Sequence, residues 1–188
     1  MSRALSAPLR IALAGCGHVG GSLLDLLTQR RLASAPGPDV QVQRVLVRNA
    51  ALARPALERA VHAGLARTTA LTADVSALLD DDIDVLVEVI GGTSTARTLV
   101  ETALARGVRV VTANKALLGE RGAALQTLAA AGNTRLDFEG AVCGAVPVVR
   151  CVRAGAAGVG ISRVSGILNG TSNSVSYTHL TLPTILRV

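Results

Sequence analysis

The chain has 188 residues, about one and a quarter domains at ~150 residues each, which is room for one core and the beginning of another. Apolar residues make up 49% and charged residues 17%, a globular composition rather than a disordered one. The 19 basic residues against 13 acidic give +6, but a single lysine, Lys115, stands among the arginines, and the only aromatics are Phe138 and Tyr177.

Two aromatics cannot supply the stacking platforms of a single-strand nucleic-acid binder. The arginines mostly occur singly, as at positions 10, 44, 67, 97, 121 and 163, and form no basic stripe, so no nucleic-acid partner is expected. A chain rich in alanine and arginine with one lysine reflects a GC-rich gene, which accounts for the high pI. No apolar run of ~20 residues predicts a membrane span. The early arginines are not followed by an apolar segment with a cleavage site, so no signal peptide is expected. Cys16, Cys143 and Cys151 have no metal-ligand spacing and leave an odd thiol, which points to a reduced, cytoplasmic setting.

In chain order, Leu9–Ala14 is a short apolar run ending in glycines, as a buried strand does. Apolar residues at 19, 23, 24, 26 and 27 suit a helix over Val19–Leu32, which Ala35-Pro36-Gly37-Pro38 stops. Val40–Val47 alternates as a second strand, and Pro55 suits the first turn of a helix running to about Ala63. A short strand near Thr68–Leu71 and a short helix capped by Asp74 follow. Asp84–Ile90 reads as a strand leading into Gly91-Gly92, and Thr95–Arg106 as a helix closed by Gly107. Val108–Thr112 is the next strand. Asn114 caps a long alanine-rich helix ending near Gly132, and Arg135–Glu139 is a last strand. Strand and helix in alternation predict a doubly wound parallel α/β sheet.

After Gly140 the texture changes to loop, then a helical Val148–Arg153 and a strand at Val164–Leu168, as at the opening of a second domain. Residues 174–188 contain no Ala, Gly or acid. They read either as a β-rich strand or as a segment foreign to the gene.

Gly15-Cys16-Gly17-His18-Val19-Gly20 is a GxGxxG between a strand and a helix. The first glycine makes the tight turn, the second admits a pyrophosphate to the backbone, and the third lets helix and strand pack closely. This predicts a dinucleotide-binding fold with Gly15, Gly17, His18, Val19 and Gly20 at the cofactor turn. An acid at the end of the second strand would bind a ribose 2′-hydroxyl. Arg48-Asn49 stands there instead, so NADP is expected over NAD, with Arg54 as a second phosphate contact.

Lys115 lies just past the carboxyl end of a strand, the ligand edge of an open α/β sheet. Its ammonium suits donation to a reacting oxygen. Glu88, inside a strand ahead of Gly91-Gly92-Thr93-Ser94, calls for a polar partner, and the glycines for close approach to a ligand. Glu139 beside an irregular loop could gather oxygens around a hard cation. Cys143 reads as a small buried thiol rather than a nucleophile, since no motif brings His18 or His62 to it.

Together, IALAGCGHVGGSLL, VLVRN, DVLVEVIGGTSTAR, VVTANKALL, FEGAVCGAVPVVR and SGILNGTSN resemble the homoserine dehydrogenase family over residues 9–173. The resemblance implies interconversion of L-homoserine and L-aspartate 4-semialdehyde with a nicotinamide cofactor, in threonine, methionine and isoleucine biosynthesis. It implies NADP contacts from Gly17 to Gly20, Arg48, Gly91, Thr93, Ser94 and Lys115. It also implies a sodium ion held by Glu139, Val142, Gly144 and Val146, mostly through carbonyls, and a homodimer or higher assembly.

The expected domains are an NAD(P)-binding Rossmann domain over 1–138 and the truncated start of an α+β substrate domain over 139–173. After Asn173 the family pattern is lost, and residues 174–188 are similar to translated sequencing-adaptor sequence. The family's usual catalytic base lies beyond this chain, so an inactive, non-catalytic NADP-binding fragment is the alternative reading. Another amino-acid-pathway dehydrogenase of the same architecture is disfavoured by the TANK and GILNGT segments.

Overall fold

A computed structural model describes residues 7–67, 70–80, 82–144 and 146–156, with positions 158, 160 and 163. The chain divides into two compact units, residues 1–141 and 142–188. The expected strand at Val164–Leu168 and the segment 174–188 lie outside the described residues.

Among the described residues, the first unit is built on six strands: β1 (Leu9–Ala14), β2 (Val40–Leu46), β3 (Leu71–Thr72), β4 (Val85–Glu88), β5 (Arg109–Thr112) and β6 (Leu136–Asp137). They are parallel, in the order β3-β2-β1-β4-β5-β6. Four helices alternate with them: α1 (His18–Leu32), α2 (Ala50–His62), α3 (Ser94–Ala105) and α4 (Lys115–Ala131). This is the doubly wound sheet that the alternating pattern predicts.

Period-two strands assign the core to two sides. Ile11, Leu13, Val85 and Val87 point to the face shared with Leu24 of α1 and Leu57 of α2. Ala12, Ala14, Leu86 and Val110 point to the other, against Leu99 and Val100 of α3 and Leu117 and Leu125 of α4. The central β4, buried at every residue, is near-continuously apolar, whereas β2 alternates with half-buried Gln41 and Gln43.

Several boundaries differ from the sequence reading. α2 begins at Ala50, capped by Asn49, whose side chain accepts the Ala51 N–H, so Pro55 lies inside the helix and not in its first turn. The cap and a buried face of Ala53, Ala56, Leu57 and Ala60 outweigh the hydrogen bond that proline cannot donate. β3 lies at Leu71–Thr72, and positions 68 and 69 of the expected strand lie outside the described residues. Asp74 accepts the Ser76 N–H at 2.9 Å ahead of a single 3₁₀ turn, Ser76–Leu79. β6 ends at Asp137, and Glu139 belongs to a 3₁₀ turn, Glu139–Ala141, rather than to the strand.

In the second unit, the described helix is α5 (Val148–Ala156). Cys143 and Gly144 take consecutive positive φ values of 56° and 58°, and Cys143 is exposed, contrary to its reading as a buried thiol.

At the amino edge of the sheet, Arg10 on β1 joins Asp84, just ahead of β4, through Nη2 to Oδ1 at 2.9 Å and Nε to Oδ2 at 3.2 Å. It also pairs with Asp82. The Arg10 guanidinium holds the Asp84 carboxyl below its ordinary range, against a smaller opposing effect of burial. A depressed folded-state pKa contributes stability above the unfolded value of about 3.9, and that contribution is lost as pH falls through the folded value. Because the side chains are 33% and 35% exposed, solvent screens much of the attraction. Asp84→Asn is therefore expected to lower the melting temperature at pH 7 by about 1–3 °C. The gap should close as the pH is taken below the ordinary carboxylate range, as thermal melts across a pH series would show.

Candidate functional site

The chain runs from β1 outward to β2 and β3, then returns to β4 on the other side of β1. That reversal leaves a crevice at the carboxyl ends of β1 and β4, where open α/β sheets bind ligands.

The glycine turn closes its floor. Gly15 has φ +103°, and a Cβ there would stand 2.9 Å from the Val89 carbonyl oxygen. Gly20, in the first turn of α1, is tighter still: a Cβ would fall 2.0 Å from the Gly15 carbonyl oxygen. The helix thus rests on the turn through backbone alone. Gly17, by contrast, has nothing within 4 Å of its Cβ position. It is the N-cap of α1 and offers no side-chain cap, so the first N–H groups of the helix keep their capacity for an acceptor. α3 likewise has no side-chain cap from its N-cap residue, Thr93. The helices α2 and α4 are capped instead by Asn49 and Asn114.

The crevice encloses about 660 Å³, within the range of small-molecule pockets, about 300–1,000 Å³. One wall is Gly15, Cys16 and Gly17, with Leu46 to Asn49 at the end of β2 and Ala73 and Val75 beyond it. The other is Val89 to Gly92 after β4, with Ser94 and Thr95 of α3. Five of the predicted residues, Gly15, Gly17, Arg48, Gly91 and Ser94, line this one space.

The remaining predicted positions lie off the lining. Gly20 is beneath the turn, His18 is exposed at the start of α1, and Val19 is 60% exposed. Thr93 precedes α3, and Lys115 is the exposed first residue of α4. Arg54 is exposed on α2, away from the lining. Glu139 ends the first unit in its 3₁₀ turn, while Val142, Gly144 and Val146 open the second. Among the described residues, no three His, Cys, Asp or Glu side chains cluster as metal ligands.

Glu88 ends β4 fully buried and finds the polar partners it requires. Oε2 accepts the Thr112 hydroxyl at 2.6 Å, and Oε1 accepts the Ile90 N–H at 3.0 Å and the Asn114 side-chain amide at 3.4 Å. The same amide donates to the Gly92 carbonyl at 2.7 Å, while Asn114 Oδ1 accepts the Leu117 N–H at 3.1 Å and so caps α4.

Cys16, Ala73 and Val75 are lining residues that sequence reasoning missed. Cys16 holds an unspecified position of the glycine motif, and Ala73 and Val75 carry no motif. Burial pushes the Cys16 thiol up, and Asp25 adds to the effect, so it is not an activated nucleophile. No helix among the described residues is long and apolar enough to cross a membrane.

Fold, glycine turn and crevice define a domain of the dinucleotide-binding class. Residues 15–139 match the family model described as homoserine dehydrogenase, NAD binding domain. The chain belongs to the homoserine dehydrogenase family. It is 41% identical to the homoserine dehydrogenase of Corynebacterium glutamicum over 168 residues, covering 88% of this chain and 36% of that protein. It is also similar to the crystal structure of a homoserine dehydrogenase from Thiobacillus denitrificans, at 36% identity and a TM-score of 0.60, covering 79% of this chain and 33% of that one. A hyperthermophilic archaeal homoserine dehydrogenase mutant, solved in complex with NADPH, shares the fold at 20% identity and a TM-score of 0.59, over 77% of this chain and 48% of that one. The chain thus spans about a third of the length of the curated relatives it matches.

The two glycines should respond in opposite ways to a methyl group. Gly20→Ala places its Cβ against backbone that cannot yield cheaply and is expected to cost about 2–4 kcal/mol or to prevent folding. Gly17→Ala meets open space and should keep stability within about 1 kcal/mol. Urea unfolding of both variants checks the contrast.

Proposed function

We propose that this chain is the NADP-binding part of an enzyme that interconverts L-homoserine and L-aspartate 4-semialdehyde. The observation that carries the reading is the convergence of Gly15, Gly17, Arg48, Gly91 and Ser94 on one crevice at the sheet's reversal point. In this reading the uncapped first turn of α1 donates N–H groups to the pyrophosphate. Gly17 leaves room for that approach, and Gly15 and Gly20 hold the turn in shape. The exposed Arg48 guanidinium at the end of β2 pairs with the 2′-phosphate, where no acid stands to accept a 2′-hydroxyl. His18, Val19, Gly91, Thr93 and Ser94 complete the contacts along the two uncapped helices.

The nicotinamide supplies the hydride acceptor and donor of the reaction. Lys115, at the carboxyl edge of β5, presents an ammonium that orients an oxygen at the reacting end and offsets negative charge there. Sodium enters on donor type alone: Glu139 brings a carboxyl oxygen, and Val142, Gly144 and Val146 bring carbonyls, all hard donors. A homo-oligomeric, cytoplasmic enzyme and the domain limits at 138 and 173 belong to the same reading and follow from the family resemblance.

Fluorescence titration with NADPH and NADH tests the cofactor assignment. NADPH is expected to bind at least about tenfold more tightly, as one charge-assisted phosphate contact would give. Arg48→Ala should remove most of that difference while leaving NADH affinity within about twofold. Equal affinities, or tighter NADH binding, would refute the assignment to NADP. For the activity, homoserine-dependent formation of NADPH is expected of the full-length protein and should fall at least about a hundredfold with Lys115→Ala. The 188 residues alone are expected to bind cofactor without turnover.

A further inference from the structure

We propose that Glu88 is a positioning residue for the half of the crevice that holds the reacting end of the cofactor. The inference rests on the nucleotide reading above and names a residue outside the expected contact set.

A fully buried acid at a strand end is costly unless its oxygens are satisfied. Here satisfaction comes from three separate pieces of backbone. Thr112, opposite Glu88 in the β4–β5 register, gives its hydroxyl proton to Oε2, and its oxygen in turn accepts the Asn114 N–H at 3.0 Å. Ile90 N–H binds Oε1 and turns the chain into Gly91-Gly92. These two glycines have consecutive left-handed φ values of 72° and 71°, a conformation that needs holding. The Asn114 amide supplies the hold, reaching both Glu88 Oε1 and the Gly92 carbonyl. None of the ion pairs among the described residues involves Glu88. Neutral donors satisfy it, and they fix direction as well as charge.

The consequence is geometric. Gly91 lines the crevice, and Lys115 follows Asn114 directly as the first residue of α4. Glu88 therefore sets the crevice wall and the lysine's backbone in one register, although it is fully buried and does not itself line the crevice. Its influence falls on the β4–β5 half of the site. The adenosine half, built on the glycine turn and the end of β2, does not share the network. In a fold made of two mononucleotide-binding halves, that is the nicotinamide side.

Two probes separate this role from general support of the fold: NADPH, and adenosine 2′,5′-bisphosphate, which lacks the nicotinamide half. Asn114→Asp keeps the oxygen that caps α4 but removes the amide donor joining Glu88 to Gly92. It is expected to weaken NADPH about tenfold and to leave the bisphosphate within about twofold. Adding Glu88→Gln removes the repulsion between two buried carboxylates but restores no donor to the Gly92 carbonyl, so NADPH affinity should stay reduced. Thr112→Val, nearly isosteric, should act in the same direction as Asn114→Asp.

Unchanged NADPH binding in folded variants, or an equal loss of both probes, would overturn the positioning role. So would failure of both single variants to fold, which would make the network structural only. An unmodified chain that binds the bisphosphate but gains nothing from the nicotinamide half would also overturn it while leaving the nucleotide reading standing. If the unmodified chain binds neither probe, the nucleotide reading itself fails.

Discussion

The contact on which this molecule turns is between two pieces of backbone: the Cα of Gly20 against the carbonyl of Gly15. No side chain can occupy that space, so α1 meets the end of β1 at a distance open only to glycine. The closeness aims the helix's first turn at the reversal point of the sheet. It also places Gly17 on the open side, where its missing side chain leaves a gap rather than a contact. One steric requirement therefore fixes the helix, the turn and one wall of the crevice.

The opposite wall is made by other means. Beyond β4 the chain passes through two left-handed glycines, and nothing packs against their Cβ positions. Shape there comes from directional bonds converging on Glu88 from Thr112, Ile90 and Asn114. One half of the crevice is thus set by exclusion and the other by hydrogen bonding. Steric exclusion tolerates little substitution but is indifferent to polarity, whereas a buried polar network depends on every partner being present.

Much of this was legible in the sequence because its cause is local. A GxGxxG after Leu9–Ala14 is a steric rule written in consecutive residues, and the caps at Asn114 and Gly132 lie within a turn of the helix they bound. The sheet's topology follows from the alternation of apolar runs. Less legible were features whose cause is distant. Pro55 suggested a helix start, and only the cap at Asn49 and the packing of α2 on the sheet override it. The two residues of β3 take their extent from pairing with Val45 and Leu46, not from their own pattern. Glu88 announced a polar partner, but the spacing of 24 residues to Thr112 names none until β4 and β5 are paired. Ala73 and Val75 reach the crevice because β3 ends beside β2, which no motif records.

The four α-helices described in the first unit fall into two kinds at their amino ends. α2 and α4 complete their own hydrogen bonding with an asparagine, whereas α1 and α3, both at the crevice, receive no such side chain from Gly17 or Thr93. The first-turn N–H groups of those two helices keep their capacity for an acceptor. Occupancy is then part of the secondary structure's own completion. An acceptor at either opening turn would complete that helix's hydrogen bonding, so that ligand affinity and helix stability are linked there.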